Sequence, residues 1–156
     1  MTVLKKYDNC FLEKDENDIV WLLLDKENST TNTLHTAFLL DIESALVEIE
    51  SLKTKLKGLI IKSNKKNGFI AGADIKQFSK LKTESDAIKL IKQGQNIFNK
   101  LANLSIPTLA LINGFCVGGG LELALACDYR VALEDTKLGL PEVEIGWPVI
   151  RASRLA

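Results

Sequence analysis

The stretch Asn113-Gly114-Phe115-Cys116-Val117-Gly118-Gly119-Gly120-Leu121-Glu122 ends an apolar strand, turns on glycines and opens a helix with a carboxylate in its first turn. Glycine lets the main chain take conformations closed to other residues and lets a ligand approach the backbone closely. The N–H groups of a first helical turn have no intrahelical partners, and the helix dipole behind them favours a phosphate or a developing oxyanion. Spacing excludes two common phosphate loops. No Gly-Lys-Ser/Thr follows, and Gly114, Gly118, Gly119 and Gly120 do not fit G-x-G-x-x-G. An oxyanion pocket fits better. By itself a triple glycine also serves close packing, and a carboxylate at Glu122 also complements the positive end of a helix, so the run alone leaves both readings open.

A second turn strengthens the oxyanion reading. Leu59-Ile60-Ile61 has the character of a buried strand and is followed by Gly68-Phe69-Ile70-Ala71-Gly72-Ala73-Asp74-Ile75, so two glycine-containing turns supply two N–H donors. Around them, Ile19 to Leu24 reads as a strand and Asn28 to Thr33 as a polar loop. The pattern predicts a helix from Thr36, with Phe38, Ile42, Ala45, Leu46 and Ile49 at helical spacing, and a second helix carrying Ile88, Ile91, Gln95, Phe98 and Leu101. Both stripes read as core. Thr108 to Ile112 is the strand feeding the glycine turn, and Tyr129 to Leu133 and Lys137 to Leu140 are further short strands. Strands alternating with helices indicate an α/β fold. No linker, low-complexity segment or sequence repeat divides the chain, so one domain over residues 1–156 is expected.

Composition narrows the function classes. With 46% hydrophobic residues, 156 residues can build one core, and no apolar run reaches the length of a membrane span. Twenty basic and twenty acidic residues cancel, which argues against nucleic acid as a partner. The lysine groups at Lys53 to Lys57 and Lys62 to Lys66 read as solvated faces. Cys10, Cys116 and Cys127 cannot all pair and lack a zinc-type spacing, so they read as packing thiols of a reducing, cytoplasmic setting. Cys116 as a nucleophile has no evident general base, and His35 is the single histidine.

Three segments together resemble the enoyl-CoA hydratase/isomerase, or crotonase, superfamily. They are Ala71-Gly72-Ala73-Asp74-Ile75, Asn113 to Glu122 with its triple glycine, and Leu140-Pro141-Glu142-Val143-Glu144-Ile145-Gly146, similar to a G-x-P-E-x-x-x-G segment. The resemblance implies a crotonase-like spiral of ββα units. It implies that the thioester oxygen of an acyl-CoA substrate sits between the N–H groups of Ala73 and Gly119, with Ala71, Ala73, Asp74, Ile75 and Gly119 along the bound substrate and no permanently held cofactor. Removing one such donor costs about 3 kcal/mol of transition-state stabilisation in related chemistry. The resemblance also assigns Glu122 and Glu142 to activating water and protonating the α carbon. Apolar neighbours of Glu122 favour a carboxyl pKa raised toward the working range. Spacing alone does not separate Glu142 from Glu144, two residues away, and the motif selects Glu142.

Two glutamates resemble the hydratases more than the isomerases, so the expected reaction is water addition to a trans-2-enoyl-CoA in fatty acid β-oxidation. Double-bond isomerisation is the alternative within the enzyme class. Outside it stands a non-catalytic acyl-CoA-binding or assembly module. A peptidase of the related Clp type lacks a serine at the glycine turn. The family implies a homo-oligomer of trimer type, or a subunit of a fatty-acid-oxidation complex. After Gly146 the chain departs from the family pattern, so the C-terminal helices that close the acyl pocket are expected to be missing. At Asn28-Ser29-Thr30-Thr31-Asn32 the basic residue that many relatives present to coenzyme A is absent.

Overall fold

The computed structural model describes residues 1–141, apart from the side chain of Phe78. Three strands open it as an antiparallel meander: β1 (Thr2–Lys6), β2 (Cys10–Lys14) and β3 (Ile19–Leu24). The β2–β3 turn forms because Asp15 Oδ1 accepts the N–H groups of Asn17 and Ile19 while Asp18 takes a positive φ of 62°. Helix α1 (Thr36–Leu52) follows, and Phe38, Leu39, Ile42, Ala45, Leu46 and Ile49 form its buried face, the stripe its spacing predicts.

From there the chain repeats a ββα plan. Strand β4 (Gly58–Ser63) is followed by β5 (Gly68–Ala71), the short helix α2 (Ile75–Phe78) and α3 (Glu84–Ala102). Strand β6 (Thr108–Ile112) is followed by β7 (Phe115–Val117) and α4 (Gly119–Ala126), then β8 (Tyr129–Ala132) by β9 (Lys137–Gly139). The first strand of each pair joins a six-stranded sheet ordered β1-β2-β3-β4-β6-β8, and the second joins a three-stranded sheet ordered β5-β7-β9. All pairings from β3 onward are parallel. The repeat is one of topology, with no counterpart in sequence identity, because only the alternation of apolar strand, turn and helix has to recur.

The core lies between the larger sheet and the helices, with Phe38, Phe69 and Phe98 fully buried. Two side-chain clasps hold α4 in place. Thr108 and Asp128 exchange three hydrogen bonds of 2.8–2.9 Å, and Arg130 donates to the carbonyls of Ala124 and Cys127 at the C-terminal end of α4.

Four expectations need correction. Gly68–Ala71 is a strand, and Phe115–Val117 inside the glycine run is another. The expectation for α3 shifts as well: this helix buries Gly94, Ile97, Phe98, Leu101 and Ala102, all in its C-terminal half, whereas Ile88 near its start is 43% exposed. Lys65 is no solvated side chain. It is largely buried, paired with Asp25 and donating to the carbonyl of Lys26. Finally, Asn32 in the polar loop is 1% exposed.

Candidate active site

The register of the smaller sheet aligns the motif segments. Ala71 pairs with Val117, and Val117 with Gly139, so three parallel strands end side by side. Ligand sites of open parallel sheets lie beyond such carboxyl ends. The chain leaves β5 through Gly72 at φ 85° and β7 through Gly118 at φ 54°, ψ −130°, a conformation that requires glycine. Two residues beyond the paired Ala71 and Val117 stand Ala73 and Gly119. The Gly118 N–H donates to the Gly139 carbonyl at 2.9 Å, which fixes this turn against β9.

A further ladder aims the first donor. The Ala71 N–H donates to the Asn32 carbonyl (2.8 Å), the Leu34 N–H to the Gly72 carbonyl (2.9 Å) and the Asp74 N–H to the Leu34 carbonyl (2.8 Å). This makes Leu34 and Ala73 a parallel bridge. In such a bridge the N–H of the central residue turns away from the partner strand. The Ala73 N–H therefore faces away from Leu34, toward the side on which β7 lies, and donates to nothing among the described residues. The Gly119 N–H is the first of α4 and likewise has no acceptor among them. The dipole of α4 adds positive potential at that donor.

Glu122 lies one turn into α4 and is 1% exposed. Its Oε2 is 3.7 Å from where a side-chain carbon on Gly119 would stand, so the carboxyl group borders the Gly119 donor. Leu34 Cδ1 occupies the other side of that position, at 2.7 Å. Leu34 thus joins the two donors, its backbone bridging Ala73 and its side chain lying on Gly119. Gly120 permits the closest approach of helix to sheet, since a side-chain carbon there would fall 2.6 Å from Ile70 Cβ and 2.8 Å from the Ile70 carbonyl oxygen.

The remaining candidates are placed as follows. Asp74 caps α2 by accepting the Lys76 N–H at 3.1 Å and pairs with Lys26 at 3.3 Å. Partial burial raises its carboxyl pKa, but the Lys26 and Lys76 donors outweigh this and hold it below the usual range, so it is an ionised cap. Ile75 is 63% exposed at the surface and Ala71 is exposed at the end of β5. Glu142 and Glu144 lie outside the described residues. Cys116 is fully buried, and that burial pushes its thiol up to about 12, which removes it as a nucleophile. His35 sits at the N-cap of α1 without capping it. A cleft of about 450 Å³ opens at the carboxyl ends of β4, β6 and β8, lined in part by Lys62, Lys66, Asn113 and Val131, and none of the candidate residues of this subsection lines it.

Sequence reasoning missed Asn32, Leu34 and Lys26. Lys26 donates to Thr33 Oγ1 at 2.7 Å as well as to Asp74, so a basic residue does stand at this loop, two positions before Asn28.

The fold and these paired turns define a crotonase-fold protein. An enoyl-CoA hydratase from Thermoplasma volcanium superposes with a TM-score of 0.83 at 26% identity, covering 93% of this chain and 56% of that one. The enoyl-CoA hydratase from Bacillus anthracis gives 0.80 at 27% identity, covering 99% and 57%. The pattern of the enoyl-CoA hydratase/isomerase family matches residues 15–150, and the chain belongs to that family. Among curated relatives, the fatty acid oxidation complex subunit alpha of Aliivibrio fischeri is 48% identical over 135 residues, 85% of this chain and 20% of that protein. The subunit of the same name from Vibrio vulnificus is 45% identical over 137 residues, 86% of this chain and 19% of that protein. The chain spans about a fifth of the length of these relatives.

Proposed function

We propose that this chain adds water to a trans-2-enoyl-CoA, giving a 3-hydroxyacyl-CoA, within fatty acid β-oxidation. The observation that supports it most is the register that brings Ala73 and Gly119 to equivalent positions beyond adjacent parallel strands, with the buried carboxyl of Glu122 beside the second. In this reading both N–H groups donate to the thioester oxygen. They stabilise the enolate-like charge that develops as water attacks the β carbon. Glu122 orients the water and takes its proton. Glu142, by family motif, delivers a proton to the α carbon, so that one water is added across the double bond; Glu122 is left protonated and Glu142 ionised, and a proton passing from Glu122 to Glu142 by way of solvent resets the pair. Asp74 and Ile75 line the substrate through the α2 turn, and the acyl-CoA is substrate with no resident cofactor. The partner is a second copy of this chain or a companion subunit of a fatty-acid-oxidation complex.

The same donors with one carboxylate support moving the double bond instead. Product mass separates the two. Incubation with a 2-enoyl-CoA yields a product heavier by one water under the hydratase reading, whereas an isomerase leaves the mass of a 3-enoyl-CoA unchanged and shifts only its double bond. Isomerisation without any hydrated product would overturn the proposal.

A further inference from the structure

We propose that Asn32 is a positioning residue for the Ala73 donor, an inference that rests on the oxyanion reading above. Asn32 is 1% exposed and uses nearly every polar atom it has. Its Nδ2 shares two hydrogens among three acceptors, the Leu24 carbonyl at 3.2 Å, Ser63 Oγ at 2.9 Å and the Phe69 carbonyl at 3.1 Å. Its Oδ1 accepts the Lys26 N–H at 2.9 Å, and its backbone carbonyl accepts the Ala71 N–H at 2.8 Å. One side chain therefore ties the ends of β3 and β4 and the body of β5 to the loop that carries Leu34. The Leu34 bridge, in turn, sets the rotation of the Ala73 peptide. A buried amide with this many partners has one orientation, because turning it would oppose its donors to Lys26 and its acceptor to two carbonyls. Removing it leaves the Leu34 ladder to its own three main-chain bonds and the flanking contacts of Lys26 with Thr33 and Asp74 and of Thr36 with Gln77, and a donor displaced by a fraction of an ångström loses much of its effect on a developing charge.

The test uses the full chain and two readouts. The first is the infrared carbonyl stretch of bound, carbonyl-labelled butyryl-CoA, which has no double bond to hydrate. The second is kcat and KM with crotonyl-CoA. In the unsubstituted protein the stretch is expected to move to lower frequency on binding. Asn32→Ala is expected to lose most of that shift and to lower kcat between about tenfold and a hundredfold while KM changes little. A merely structural role would lower the melting temperature and the active fraction but leave the shift per bound ligand intact. A folded Asn32→Ala protein with full shift and full kcat overturns the proposal. Should Asn32→Ala not fold, Ser63→Ala removes only one acceptor of the amide. It is expected to reduce the shift and kcat together, and no change in either overturns the proposal. Absence of any shift in the unsubstituted protein is a separate outcome that sinks the oxyanion reading itself.

Discussion

Gly119 and Gly120 are adjacent, yet an added methyl group meets different things at each. At Gly120 it would fall 2.6 Å from Ile70 Cβ and 2.8 Å from the Ile70 backbone oxygen, so α4 has to lift off β5. Gly120→Ala is expected to destabilise the fold by about 2 kcal/mol, read as a lower denaturant midpoint. At Gly119 the contact at 2.7 Å is the far end of the flexible Leu34 side chain, which can rotate away. Gly119→Ala is therefore expected to fold within about 1 kcal/mol of the parent while losing about a hundredfold in kcat, because the methyl lies beside Glu122 and the donor. Equal losses of stability in both variants would contradict this. The glycine turns around Ala73 and Gly119, and Glu122 in the helix behind the second, are legible in the sequence because such turns need glycine, while their proposed roles come from the family motif. Asn32, Leu34 and Lys26 are not, since their roles come from the fold setting the thirties against the seventies, and a lone Asn in a polar loop carries no mark of burial.

The elements differ in how much of themselves they show in sequence. Helix α1 has a stripe of branched and aromatic residues long enough to fix its period, and every residue of the predicted stripe is buried. Strands β5 and β7 have four and three residues, too short for a period-two pattern, and both lie inside glycine-rich runs that read as turns. In α3 a correct period was assigned to a face that is core over only half its length. Exposure separates the two ends: Phe38→Ala in α1 is expected to cost about 4 kcal/mol, whereas Ile88→Ala in α3, where the side chain is 43% exposed, is expected to lie within about 0.5 kcal/mol of zero. Urea unfolding of the two variants checks the contrast, and a large loss from Ile88→Ala would show that α3 is covered along its whole length.

For the whole molecule, stability at alkaline pH follows from three buried thiols. Cys10, Cys116 and Cys127 are each pushed from 9.0 up to about 12, chiefly by burial. The folded state therefore keeps protons that the unfolded chain releases above pH 9. This contribution is fully present below that value and is lost as pH rises toward 12, by about 1 kcal/mol per pH unit for each thiol. Replacing Cys127 by Ala should make that decline less steep, as measured by denaturation at pH 8 to 11, after allowing for a constant packing loss. Unchanged slope would mean that the thiol ionises equally in both states. No helix among the described residues is long and apolar enough to cross a membrane.

At the same scale, the central claim is that the aligned ends of β5 and β7, with Glu122, form a working hydration site. The most direct measurement is the fall in conjugated-thioester absorbance when the folded chain is mixed with crotonyl-CoA, run beside Glu122→Gln. The account predicts turnover by the parent and a loss of at least about a hundredfold in the variant, with circular dichroism unchanged. A folded Glu122→Gln protein that hydrates crotonyl-CoA at the parent rate, or a folded parent that never does, would contradict it.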